Sequence, residues 1–199
     1  MSPQELALVG PGFADPVLDS QAVFRGCLCA LARPGSVVDL AGGERPVDGL
    51  RAAAGSLLRA LLDQDTRLWV SPGAPRCAAT HLRFHTGCAL VDAPGEADFA
   101  LVAAPEELPA LATFNAGSDE YPDRSASVVL QVPRLAEGGP WRLSGPGIRG
   151  EARLAVTGLG TEFVAQWEAN RRRFPRGVDL YLASGTRLCG LPRTTRIEH

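Results

Sequence analysis

Cys77, His81, His85 and Cys88 are spaced C-x3-H-x3-H-x2-C. Residues four apart share one face of a helix, so Cys77, His81 and His85 could converge on a zinc ion. The competing role is structural, with Cys77 in the core and His81 at the edge of an amphipathic helix. No CxxC pair supports a metal, and none is assigned. Arg83-Phe84-His85-Thr86 ends the same helix and offers several donors to a phosphate oxygen or a carboxylate. The same residue types also close helices, where a cation meets the negative end of the dipole. Spacing alone favours the structural role. A second set, Arg193-Thr194-Thr195, follows Pro192 near the C-terminus. It could bind an anion or fix an inter-subunit contact. The contact is preferred, because arginine is favoured at interfaces and nothing nearby supplies chemistry. Arg83, His85, Thr86, Arg193, Thr194 and Thr195 are therefore the candidate ligand-binding or interface residues, and no residue is assigned a catalytic role.

Other motifs are weaker. Gly145-Pro146-Gly147-Ile148-Arg149-Gly150 has the G-x-G-x-x-G form of a dinucleotide-binding loop. Pro146 removes a backbone N–H from it, however, and EARLAV before Gly158 is too short for the helix that must follow. A turn that needs flexible glycines is the better reading. The run Arg171-Arg172-Arg173-Phe174-Pro175-Arg176 could meet phosphates or an acidic partner, but reads first as a solvated helix end. Asp63 and Asp65 belong to ordinary turn chemistry. No G-x-S-x-G occurs, so a nucleophile-elbow hydrolase has no support. All 20 basic residues are arginine. The chain alone can form neither a lysine Schiff base to pyridoxal phosphate nor a Walker-lysine contact to a nucleotide.

These residues sit in an α/β pattern. A helix is expected over 20–33, capped by Ser20, with Val23, Phe24, Cys27, Leu28 and Leu31 on its buried face. Strands are expected at 36–40, 67–71, 97–103, 127–132 and 141–144. Helices are expected at 47–62, 75–85 (ending at Gly87) and 105–114, and a further one capped by Thr161 carries Phe163, Val164 and Trp167. The segment FNAGSDEYPDRSA reads as a surface loop, and VDLYLA and TRLCGL as a closing hairpin about Ser184-Gly185. The alternation predicts one α/β domain over 1–199, a layered mixed β-sheet flanked by helices.

Composition narrows the class further. With 45% hydrophobic and 21% charged residues, the 199-residue chain is an ordinary soluble protein able to bury a core. A net charge of −2 gives no general attraction to nucleic acid or acidic membranes. No apolar run is long enough for a bilayer, and the first residues lack a signal-peptide pattern, so a cytoplasmic protein is expected. The five cysteines read as reduced and mostly buried. Together these features favour a subunit or binding module over a stand-alone enzyme.

Phe24-Arg25, Pro34-Gly35, LLDQDTRLW (61–69), RFHT (83–86), ADFAL (97–101), VVLQV (128–132), LSGPGI (143–148), FPRGVDL (174–180) and LPRTT (191–195) occur in series along nearly the whole chain. In that order and at that length, the chain resembles the PhnH family, a subunit of the bacterial carbon–phosphorus lyase complex that degrades phosphonates. The resemblance implies a fold similar to a degenerate pyridoxal-phosphate-dependent transferase, without the cofactor. It implies homodimers in isolation and assembly with the G, I and J subunits. It further implies support, with the G and I subunits and the L protein, for displacement of adenine from ATP by a phosphonate. The product would be an alkylphosphonate ribose triphosphate, and the catalytic groups would lie on the I subunit. Cys77, His81 and Cys88 fall outside the family pattern, as does most of the FNAGSDEYPDR loop. The alternative is a stand-alone nucleotide- or phosphonate-binding protein with a pocket built on Arg83, His85 and Arg193.

Overall fold

The computed structural model describes residues 9–40 and 47–198. Its first helix, α1 (Pro16–Ala32), starts earlier than expected. Asp15 is the cap, its carboxylate accepting from the Val17 and Leu18 amides at 3.0 Å each, and Pro16 supplies the preset φ of a first helical residue. Ser20 lies one turn inside and donates back to the Pro16 carbonyl. The buried face is also rotated from the expected one: Val23, Cys27 and Ala30 are buried, whereas Phe24 and Leu28 are 45% and 51% exposed.

β1 (Val38–Asp39) is short, and α2 spans Ala52–Leu61. The expected start of α2 at Val47 is replaced by a turn, Val47 to Leu50, closed by the Leu50 amide on the Val47 carbonyl at 2.9 Å. β2 (Arg67–Val70), α3 (Arg76–Thr86) and β3 (Ala89–Leu90) follow. Gly87 ends α3 as expected, at φ 76°, its amide on the Arg83 carbonyl. After β4 (Phe99–Val102) the expected helix over 105–114 is absent. Two 3-10 turns, Pro105–Glu107 and Leu111–Thr113, stand in its place. Pro109 between them lacks the amide a continuous helix needs and holds Leu108 extended.

β5 (Ser127–Gln131) matches its expected strand. Next come β6 (Leu135–Ser144), β7 (Ala152–Val156) and α4 (Thr161–Arg171). The closing hairpin is β8 (Asp179–Ser184) and β9 (Arg187–Leu191), and β10 (Arg196–Glu198) follows it. β6 is longer than the expected 141–144 because Gly138 and Gly139, at φ 74° and 147°, form a bulge rather than a turn, and Leu154 opposes both Glu137 and Trp141. α4 is capped by Gly160 with no side-chain bond, so Thr161 is its first residue and not its cap.

The strands form a seven-stranded sheet in the order β1-β9-β8-β5-β4-β2-β3, and a three-stranded antiparallel sheet β10-β6-β7. In the large sheet β3, β2, β4, β5 and β8 are mutually parallel, while β9 runs antiparallel to both its neighbours, β8 and β1, so the sheet is mixed. Side-chain alternation separates two cores. Val128, Leu130, Leu180 and Leu182 face one that includes Trp141, Phe163 and Trp167, beneath α4 and the small sheet. Leu101, Val129, Tyr181 and Leu188 face the other, beneath α1, α2 and α3. Central strands covered on both faces explain the near-continuous apolar runs FALV and SVVLQ. No described helix is long and apolar enough to cross a membrane.

Candidate functional site

The histidines of α3 clamp the chain's early residues. His81, expected at a helix edge, is fully buried because residues 9–13 cross over it. Its Nδ1 bonds the Val9 carbonyl, and its Nε2 lies 3.2 Å from Arg59 Nη1. An arginine only donates, so Nε2 must accept, and the imidazole is the neutral Nδ1–H form. Burial lowers the His81 pKa, against the raising effect of the Val9 bond, and His85 and Arg59 lower it further. The His85 ring lies 4.5 Å from that of His81, with Nε2 3.2 Å from the Gly10 carbonyl. Arg59, whose pKa burial lowers to about 10, stacks 4.6 Å over Phe13.

Thr86 completes the end of α3, its hydroxyl donating to the Leu82 carbonyl at 2.8 Å and accepting from the Cys88 amide at 3.2 Å. Arg83 is exposed and makes no side-chain hydrogen bond or ion pair among the described residues. No group of three or more potential metal ligands occurs among those residues. Cys27, Cys88 and Cys189 are buried, and burial pushes the thiols of Cys27 and Cys189 up to about 12, far from reactive thiolates.

Arg193 lies in a separate knot. Nε and Nη2 hold the Asp179 carboxylate at 3.1 and 2.6 Å, Nη1 reaches the Pro122 and Pro175 carbonyls at 3.0 and 3.1 Å, and Nη2 also bonds Ser125 at 2.5 Å. A guanidinium has five N–H donors, and these bonds engage all of them. Thr194 is half-buried and Thr195 fully buried, its carbonyl accepting from Trp167 Nε1 at 2.8 Å. Arg193 shares no hydrogen-bond partner with His85 or Thr86 among the described residues.

The structure brings together a different set. Ligands of open α/β sheets bind outside the carboxyl ends of the parallel strands. At that edge lies a cleft of about 730 Å³, lined among others by Asp48, Gly49, Arg51, Ala103, Gln131 and Thr186. Gln131, the last residue of β5 and 3% exposed, organises it. Its Oε1 accepts from the Arg51 amide at 2.6 Å, and its Nε2 donates to the Gly49 and Ala103 carbonyls at 2.9 and 3.4 Å. One amide thereby fastens the turn before α2 to the end of β4. Alongside, the Ser71 hydroxyl donates to the Glu107 carboxylate, which also accepts from the Gly73 amide at 3.2 Å. The cleft is of ligand size, and its lining offers charges and hydrogen bonds. Among the described residues that lining holds no histidine or cysteine, and so no nucleophile–base pair of the Cys–His or Ser–His kind. Motif reading missed these residues; the polar Gln131 closing an apolar strand is the signal that marks them.

A family model described as bacterial phosphonate metabolism protein (PhnH) matches residues 11–198. The chain is 39% identical over 187 residues to the alpha-D-ribose 1-methylphosphonate 5-triphosphate synthase subunit PhnH of Rhizobium meliloti (strain 1021), covering 94% of each chain. It is 37% identical over 178 residues to a protein of Stutzerimonas stutzeri named "Putative C-P lyase subunit protein HtxG", covering 89% of this chain and 85% of that one.

Proposed function

The chain belongs to the PhnH family of bacterial phosphonate metabolism proteins, and from that membership we propose that it is a support subunit of the carbon–phosphorus lyase core complex. In that role it is required, with partner subunits, for transfer of the ribose triphosphate of ATP to an alkylphosphonate. The observation that carries the reading is 39% identity spanning 94% of a relative named as a synthase subunit.

Local chemistry supports a supporting rather than a catalytic part. The donors of Arg193 are engaged within the chain, and His81 and His85 hold backbone carbonyls. The groups that displace adenine are assigned to the I subunit. The chain acts as one domain in the cytoplasm, forms a homodimer in isolation and joins the G, I and J subunits. Its fold is read as a degenerate pyridoxal-phosphate-dependent transferase fold; a chain whose basic residues are all arginine supplies no lysine for that cofactor's Schiff base. Val17, Phe24 and Leu28 support assembly: spaced seven and four apart, they form one apolar row on α1, 75%, 45% and 51% exposed. Arg83, with open donors, is assigned to a contact with a partner subunit.

Mixing the chain with its cognate subunits at low salt on a sizing column tests this reading. Co-elution is expected, and separate elution contradicts it. The cleft at the sheet edge favours a second reading, in which the isolated chain binds a small anion itself. Calorimetry with ATP and with methylphosphonate decides that point: saturable heat supports it, and no heat at millimolar ligand removes it.

A further inference from the structure

The small sheet ends in a strand whose outer edge is free among the described residues. β7 is bonded to β6 on one side and terminates the order β10-β6-β7 on the other. Among the described residues, no backbone bond from another segment reaches the outer edge of 152–156. Five residues long, β7 exceeds β1 and β3, the two-residue edges of the large sheet, and β10, a three-residue edge that packs against α4. Proteins usually blunt a free edge with proline, an inward charge or a covering element. β7, Ala152-Arg153-Leu154-Ala155-Val156, has no proline, its one charged side chain, Arg153, is exposed and paired with Glu151, and its inward side chains Ala152, Leu154 and Val156 are all apolar.

An open groove of about 570 Å³ adjoins the start of this strand at Ala152 and Arg153, and is lined also by Arg33, Gly35, Gly138, Gly147 and Arg149 among others. Its floor is where the turn after α1 meets the turn between β6 and β7. Glycine lets them meet: a Cβ on Gly35 would come within 2.8 Å of the Ala152 Cβ, and one on Gly147 within 2.9 Å of Pro34 Cδ. Two carboxylates also line the groove, and both are engaged. Glu137 accepts from the Val37 amide at 2.9 Å, and Glu151 pairs with Arg153 at 3.1 Å and Arg142 at 3.8 Å. Arg33 and Arg149 have no side-chain hydrogen bond or ion pair among the described residues.

We propose that β7 and this groove receive an extended acidic segment of a partner subunit, which joins the small sheet as a fourth strand and sets carboxylates against Arg33 and Arg149. Strand addition supplies main-chain hydrogen bonds along the free edge, and guanidinium–carboxylate pairs supply selectivity. A free phosphate would meet the guanidinium groups but leave the strand edge unused. The proposal rests on the assembly reading above.

Hydrogen exchange of the full chain, alone and in the complex isolated from cognate subunits, is the test. Slower exchange is expected at the outward amides of β7 in the complex, by about tenfold or more. Arg149→Glu should weaken assembly about tenfold with the melting temperature unchanged. If the complex forms with β7 exchanging as in the free chain, or if R149E assembles with unaltered affinity, this proposal falls while the assembly reading stands. If no complex forms, both fall. Equal protection by millimolar inorganic phosphate alone would replace the strand with a small-anion site and overturn the proposal.

Discussion

Arg193 grips Asp179 across the base of the closing hairpin, Nη2 at 2.6 Å from one carboxylate oxygen and Nε at 3.1 Å from the other. The backbone amide of Arg193 adds a third bond to the same carboxylate at 2.7 Å. With the Arg193 side chain 11% exposed and that of Asp179 24% exposed, water reaches the pair poorly. Arg193→Ala strands the carboxylate and frees the Pro122 and Pro175 carbonyls. A loss of about 2–4 kcal/mol is expected, read from the urea midpoint. Arg193→Lys should recover little, because an ammonium cannot span both oxygens and both carbonyls. Full stability of R193K would contradict a structural role for the guanidinium.

His81 sets a pH dependence. Its folded pKa lies below the ordinary value of 6.5, with burial the largest cause, so the unfolded chain takes up a proton that the folded chain resists. Its neutral form is stable in the fold above pH 6.5, and stability falls as pH drops below that value toward the lowered folded pKa. The melting temperature should therefore decline from pH 7 to pH 5. His81→Gln should lie lower at pH 7 and decline less steeply; an unchanged slope would remove His81 as the cause.

Gln131 makes the cleft depend on one side chain. Gln131→Leu leaves the Arg51 amide and the Gly49 carbonyl without their partner, at a cost of about 1–3 kcal/mol. Faster amide exchange at residues 49–51 should accompany it. A neutral substitution would mean that the turn holds without this amide.

Glycine at two turns has separable roles. Gly35 and Gly150 both have positive φ, 88° and 80°, but only Gly35 has a close neighbour, whereas a Cβ on Gly150 would meet open space. Gly150→Ala should cost about 1 kcal/mol from φ alone, and Gly35→Ala about 1–3 kcal/mol through the added clash with Ala152. Equal costs would show that the two turns are not closely packed.

Particular residues explain how much of this was legible in the sequence. The strands of the large sheet were, except the two-residue edge β3, because coverage on both faces demands unbroken apolar runs such as SVVLQ, whereas Ala89 and Leu90 are exposed. Gly87 ended α3 where a left-handed residue was needed. The small sheet was largely hidden, since Gly138-Gly139-Pro140 has the composition of a turn yet forms a bulge inside β6. His81 was misread because what buries it arrives from Val9, 72 residues away. The cleft draws on residues 47–52, 103, 131 and 185–186, which only the strand order unites. The family was legible from short motifs in series, whereas the role of Arg193 depended on partners that the motif does not contain.

Adenine release from ATP and methylphosphonate, in a reconstituted mixture of the cognate subunits with and without this chain, tests the central claim most directly. Omission of the chain is expected to abolish release, and adding it back to restore it. Release at an unchanged rate without it would contradict its requirement for ribose-triphosphate transfer.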